Sequence, residues 1–248
     1  MRYFFKASYR GTHYAGWQRQ PADPSVQQTL EEAFSLILRE EIRITGCGRT
    51  DAGVHARQYY FHCDTSQAIG EDQLKRFNRY LPKDIGLHAV YPVPEDAHAR
   101  FSAIRRSYAY HITFSKDPFS EDTALWYPHA QTLDRDRMKE VAALLPRYDM
   151  FKSFCKEGSD AKHFRCQLFH ANWIFTDDAA VFVISANRFL RGMVRLIVGA
   201  CLQVGRGKIS LEDVQYALDN QLPLDAADSI AAHGLHLIEV AYPDGLLG

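Results

Sequence analysis

Residues Gly46 to Ala56 read GCGRTDAGVHA. Gly46, Gly48 and Gly53 make a loop able to take unusual backbone angles and to let a ligand approach closely. On one side, the residues around Arg43 to Gly46 read as a short strand. On the other, Gln58 to Asp64 is rich in aromatic and other sheet-forming residues and reads as a second strand. Arg49, Thr50 and Asp51 therefore sit in a glycine-rich connection between two strands. Taken alone, such a triplet is ordinarily just a turn whose polar groups satisfy one another.

Working outward, Arg2 to Tyr9 puts Tyr3, Phe5, Ala7 and Tyr9 on one face, the period of a strand. The turn-rich RGTHYAGWQRQPADP follows. Ser25 with Gln28 reads as a capping box, opening a helix on which Val26, Leu30, Ala33, Phe34 and Ile37 form a stripe, ending near Arg39. After the Asp51 loop and its strand, a helix carries Leu74, Phe77 and Leu81 on one face and stops at Pro82. DIGLHAVYPVP is a further strand. The second half repeats this grammar. Tyr108, Tyr110, Ile112 and Phe114 alternate, a helix from near Thr132 runs to Pro146, and strands follow over 168–175 and 180–186. Helices over 190–204 and 210–219 and a closing strand over 235–242 complete the chain. This order predicts a mixed α/β (α+β) fold, a largely antiparallel sheet with helices on one face, divided near His98 into residues 1–98 and 99–248.

The 248 residues carry 46% hydrophobic and 24% charged side chains, the mixture of a soluble globular protein. No apolar run reaches the eighteen or so residues of a membrane span, and MRYFFKASYRG lacks the profile of a signal peptide. Five widely spaced cysteines without a CxxC pair predict reduced thiols and a cytoplasmic setting. Cys155, His163 and Cys166 lack a fourth ligand at a sensible spacing, so no metal is expected. With no P-loop, HExxH or strand–GxGxxG–helix unit, no cofactor is expected either. The formal charge of -1 argues at first against a nucleic-acid partner. Its distribution reverses that. All 29 basic residues precede Ile209, leaving residues 1–208 at +6, while the rest holds seven acids. Arg188 to Lys208 contains five basic residues and no acid. A localised basic surface and salt-sensitive RNA binding are expected.

Two further segments bear on chemistry. FLRGMVRLIVGACLQVG (189–205) is apolar on nearly every face and must be largely buried as a helix. Arg195 lies in its middle, four residues after Arg191 and on the same side. A buried guanidinium needs a carboxylate, since an unpaired buried charge costs about 3–5 kcal/mol; it serves as a structural ion pair or holds a reactive carboxylate ionised. HARFSAIRRSYAYHITF (98–114) places Arg100, Arg105 and Arg106 before Tyr108 and Tyr110, a mixture that suits phosphates and stacked bases, although alternating tyrosines also suit a core face.

Together these motifs resemble the bacterial TruA family of tRNA pseudouridine synthases. The resemblance runs nearly end to end through YRGTHYAGWQRQ, GRTDAGVHA, NRYLPKDI, HARFSA, the Tyr108 strand, FLRGMVRLIVGACLQVG and the closing GLHL. GRTDAGVHA matches the family's catalytic signature. The resemblance implies a pseudouridine synthase fold of two similar ferredoxin-like halves around a central cleft. It implies that Asp51 is the essential aspartate, Arg195 its partner, Tyr108 the tyrosine stacked on the target base, Arg49 the arginine that helps extrude the nucleotide, and Leu235 a pocket residue. It further implies a homodimer that acts on uridines 38 to 40 of the tRNA anticodon stem-loop.

Several positions depart from the family pattern. Arg10 replaces an aspartate, GVHARQ is one residue short, Ser107 stands for Arg or Thr, and His233 stands where proline is frequent. His55, inside the signature, is expected to hold the loop by hydrogen bonds rather than carry protons. The isomerisation consumes no donor, which agrees with the lack of cofactor motifs. A catalytically idle tRNA-binding protein is the alternative; it would tolerate loss of Asp51 or Arg195, and both are present. A glycosidase would need a second carboxylate, and a purely structural dimer leaves the glycine-rich Asp51 loop unexplained.

Overall fold

The computed structural model describes residues 1–156, 158, 162–224 and 229–247. It is a mixed α/β structure, with largely antiparallel strands flanked by helices. Its contacts divide into two compact units, Met1–Arg106 with His236–Gly248, and Ser107–Leu235. Set beside halves of 1–98 and 99–248, residues 99–106 and all but the first residue of the closing strand group with the first unit. The cause is pairing: the closing strand aligns His236 with His55 and Leu237 with Ala56, and the Ile104 amide donates to the Ala241 carbonyl.

In the first unit, strands run in the order β4 (Ile85–Val93), β1 (Arg2–Tyr9), β3 (His55–Asp64), β9 (Leu235–Ala241), with β2 (Ile44–Gly46) also on β3. β1 is antiparallel to both β3 and β4, and β3 is parallel to β9. Pairing with β9 extends β3 back to His55, three residues before its expected start. Phe5, Phe34, Phe61 and Phe77 form an aromatic core, with Phe34 stacked on Phe77 at 4.0 Å and Phe5 on Phe61 at 5.1 Å. This core seats α1 (Val26–Leu38) and α2 (Glu71–Tyr80). Ser25 caps α1 as expected, its hydroxyl accepting from the Gln28 amide at 3.2 Å. The box is incomplete: the Gln28 side chain turns instead to Glu32 four residues on.

The second unit holds most of β5 (Arg105–Thr113), then β8 (Ala179–Ala186) and β7 (Leu168–Phe175) in that order, with β6 (Leu125–Trp126) parallel to β5. β7 and β8 form an antiparallel hairpin. α3 (Arg135–Leu144) starts at an Asp134 cap rather than at Thr132, because the Asp134 carboxylate accepts from the Arg137 amide. α4 (Met193–Gly205) starts three residues later than expected: Gly192 takes a left-handed φ of 70° and ends the preceding turn. α4 buries nearly all its residues, as its composition requires, and its last residue, Gly205, faces Met138 of α3. α5 (Leu211–Asn220) is capped by Ser210 in a reciprocal box with Asp213. Among the described residues no helix is long and apolar enough to cross a membrane.

Candidate active site

The Asp51 loop spans Cys47 to Val54, between β2 and β3, and the surrounding unit holds its backbone at several points. At its root the Cys47 amide donates to the Tyr60 carbonyl at 2.8 Å, and the Tyr59 hydroxyl donates to the Gly48 carbonyl. The Trp17 amide donates to the Thr50 carbonyl at 3.2 Å, and Tyr9 and Thr50 share a hydroxyl–hydroxyl bond of 2.9 Å. Trp17 stacks on Tyr59 at 4.0 Å beneath the loop. Gly16, at φ 93°, is obligatory here, because a Cβ would collide with the Thr50 carbonyl oxygen and lie 3.0 Å from the Asp51 carbonyl carbon. Gly16 and Trp17 of the opening motif thus form the floor on which Thr50 and Asp51 rest.

Asp51 itself begins a tight turn. The Val54 amide donates to the Asp51 carbonyl at 3.2 Å, and Gly53 has φ 78°, the left-handed value a type II turn requires at its third position. The turn lifts a half-buried Asp51 and an exposed Arg49 out of the strand connection. The Gly53 amide donates to the Tyr14 carbonyl, tying the turn back to the 9–20 segment. His55 is buried, with Nδ1 accepting from the Gly11 amide at 3.0 Å and its ring 4.7 Å from that of His236.

The second unit carries the other three sequence-predicted residues. Tyr108 lies half-buried on β5, its ring perpendicular to that of Phe189 at 5.1 Å. Arg195 lies half-buried in the first turn of α4, and its Nε donates to the Ile230 carbonyl at 2.6 Å. Arg191 does not share its helix face, since it precedes the helix, is exposed and donates to the Gly158 carbonyl at 3.3 Å. Leu235 is buried at the start of β9. Before it, Gly234 has room for no side chain, as a Cβ would stand 2.7 Å from Cζ of Tyr110. Tyr110 is fully buried, its hydroxyl donates to the Ala231 carbonyl at 2.8 Å, and burial pushes its phenol well above the ordinary range. Asp51 and Arg49 thus belong to one unit, and Tyr108, Arg195 and Leu235 to the other.

The three arginines of 98–114 have separate fates. Arg105 pairs with Glu239 at 3.0 Å, and Arg100 sits 5.5 Å over the exposed Phe101 ring. Arg106 turns to backbone carbonyls: Nη2 reaches Cys47 O at 2.8 Å and Arg100 O at 2.6 Å. Sequence reading also missed Tyr59, Gly16 and Gly234. Only the recurrence of glycine and aromatic residues within the short motifs pointed to them. Among the described residues no three of His, Cys, Asp and Glu cluster as metal ligands would. Cys166 is buried and its thiol is pushed up to about 11 by that burial.

A family profile described as tRNA pseudouridine synthase matches residues 6–102 and 148–243. These stretches contain the Asp51 loop, Arg195 and Leu235; Tyr108 and Arg106 fall between them. The chain is 46% identical to the protein named tRNA pseudouridine synthase A of Porphyromonas gingivalis, over 99% of this chain and 98% of that one. It is 42% identical to the protein of that name from Bacteroides fragilis, over 98% and 96%, and 41% identical to that of Parabacteroides distasonis, over 99% and 97%. A glycine-built turn that presents one aspartate, matched along both units, places the chain in the tRNA pseudouridine synthase family.

Proposed function

We propose that the protein isomerises uridine to pseudouridine at positions 38 to 40 of the tRNA anticodon stem-loop, with Asp51 as the catalytic nucleophile. Isomerisation of uridine in tRNA is the activity of the family, and the observation that carries the finer reading is the Asp51 turn. The loop's backbone is anchored from Tyr14, Trp17, Tyr59 and Tyr60, and its Thr50 hydroxyl from Tyr9, so the carboxylate is presented from a rigid support, as catalysis by positioning demands.

The reaction breaks the C1′–N1 bond, turns the uracil and joins C5 to C1′; N1 gains the proton that C5 loses, so the sum is an isomerisation. An ionised carboxylate beside the sugar and base is the group this needs. A guanidinium beside such a carboxylate holds it ionised and oriented. We assign that partnership to Arg195. The nucleotide must first leave its stack, at a cost of a few kcal/mol recovered in stacking and pocket contacts. Tyr108, whose neighbour Phe189 holds its ring edge-on, is assigned to stack on the base. Exposed Arg49 is assigned to extrusion of the nucleotide, and Leu235 to the apolar side of the pocket. The protein is taken to act as a homodimer in the cytoplasm, a setting in keeping with its five free cysteines.

Incubation with unmodified tRNA, followed by mapping of pseudouridine in the anticodon arm, tests this. Wild-type protein should modify one or more of positions 38 to 40, and Asp51→Asn should fall below about one-thousandth of that rate while still binding tRNA. Normal product from Asp51→Asn would overturn the assignment, and no product from wild type on a full tRNA pool would favour a protein that only binds.

A further inference from the structure

We propose that Arg106 is a positioning residue for the Asp51 loop: its guanidinium holds the Cys47 carbonyl in place and so fixes the root of the backbone from which the carboxylate projects. The proposal rests on the function assigned above and adds to it a residue that neither touches substrate nor lies in the signature. Arg106 is half-buried at the start of β5. Its Nη2 and Nε reach the Cys47 carbonyl at 2.8 and 3.3 Å. Nη2 also reaches the Arg100 carbonyl at 2.6 Å, and Nη1 the Ala103 carbonyl at 3.4 Å. One planar fork thus spans three carbonyls from two chain segments, in a rigid geometry that a point-like ammonium does not reproduce.

The anchorage at its other end is firm. The turn from His98 to Ala103 is pinned to the same unit twice at Ala99. Its amide donates to His62 Nδ1 on β3 at 3.1 Å, and its carbonyl accepts from the buried Tyr242 hydroxyl at 2.6 Å. Within the turn, His98 Nδ1 accepts from the Arg100 and Phe101 amides. Arg106 therefore links a rigid turn to Cys47, whose own amide is already committed to Tyr60. The far side of the loop keeps its contacts with Trp17 and Tyr9 whatever happens at Arg106. Loss of the guanidinium should displace the Asp51 turn rather than unfold it, and small displacements of a reacting group are costly to rate.

The test compares wild type, Arg106→Gln, Arg106→Lys and Asp51→Asn as full chains, by tRNA affinity, single-turnover rate on bound unmodified tRNA, and amide hydrogen exchange over residues 47–54. Arg106→Gln should bind tRNA within about threefold of wild type yet react about 10- to 100-fold more slowly, with faster exchange in the loop. Arg106→Lys should fall between, since one ammonium restores charge and a single bond. Unchanged loop exchange, or weakened tRNA binding with an unchanged rate in the bound complex, would overturn the proposal; the latter would make Arg106 a phosphate contact. Should Arg106→Gln fail to fold, Arg106→Lys decides alone, and wild-type rate and exchange in it would refute the role. Failure of wild type to form pseudouridine would instead overturn the functional reading, and the exchange data would still judge the positioning.

Discussion

At the scale of single residues, the first unit uses histidines as hydrogen-bond acceptors for backbone amides. His62 is buried, accepts the Ala99 amide through Nδ1 and packs at 4.9 Å against the ring of His98. Burial, aided by the charge of Arg2 and by His98, pushes its pKa down from 6.5 to about 4. A histidine whose folded pKa is depressed stabilises the fold fully above its unfolded value, and that contribution is lost as the pH falls through 6.5 towards 4. His98 is shifted the same way, first by burial and then by Arg2 and Arg100. Urea midpoints measured from pH 7 down to 4.5 should therefore fall steeply below pH 6.5 in wild type and less steeply in His62→Gln, whose amide oxygen can still accept from Ala99. Parallel curves for the two proteins would show that His62 is not the group responsible. Asp51 was legible because its motif is local. His62 and Arg106 were not, because their partners lie 37 and 59 residues away and nothing in the intervening sequence announces them.

At the scale of elements, the loop depends on how α1 meets β2. Glu31 lies on the buried face of α1, only 5% exposed. It accepts from the Ile44 amide at 3.1 Å and from the Gln27 side chain at 3.0 Å, and pairs with Arg19 at 3.2 Å. A lone acid within an apolar stripe looks like an interruption; here it closes the open edge of β2 just before the Asp51 loop. Glu31→Ala removes the acceptor of a buried amide and should cost about 1–3 kcal/mol, read as a lowered urea midpoint, whereas Glu32→Ala on the exposed face should leave the midpoint nearly unchanged. Element types were legible wherever one face repeats: β1, α1, β7 and α5 lie within one residue of their expected bounds. The starts of β3 and α4 were not. One is set by a strand that arrives some 180 residues later, the other by the backbone angle of one glycine.

At the scale of the whole molecule, a formal charge of -1 conceals a +6 stretch over residues 1–208 and an acidic remainder. Counterion release from the tRNA backbone should make binding fall steeply with salt, by roughly tenfold or more between 50 and 200 mM for a handful of phosphate contacts. Sedimentation of the protein with tRNA across that range reads this loss. At low salt it should also show two chains per tRNA. Complexes that hold a single chain would remove the homodimer, and salt-independent binding would remove the basic surface.

The sequence by itself determined the local facts: the alternation that makes strands, the apolar stripe that makes α1, the glycines that free the 46–56 loop, and the motifs that lead to the family. Each follows from interactions within a few residues, where side-chain period and backbone freedom decide the outcome. Only the tertiary structure decided which groups hold that loop. Tyr9, Trp17, Tyr59 and Arg106 reach it from four separate segments. Buried amides and carbonyls must find partners, and they find them wherever folding brings a donor or acceptor within reach.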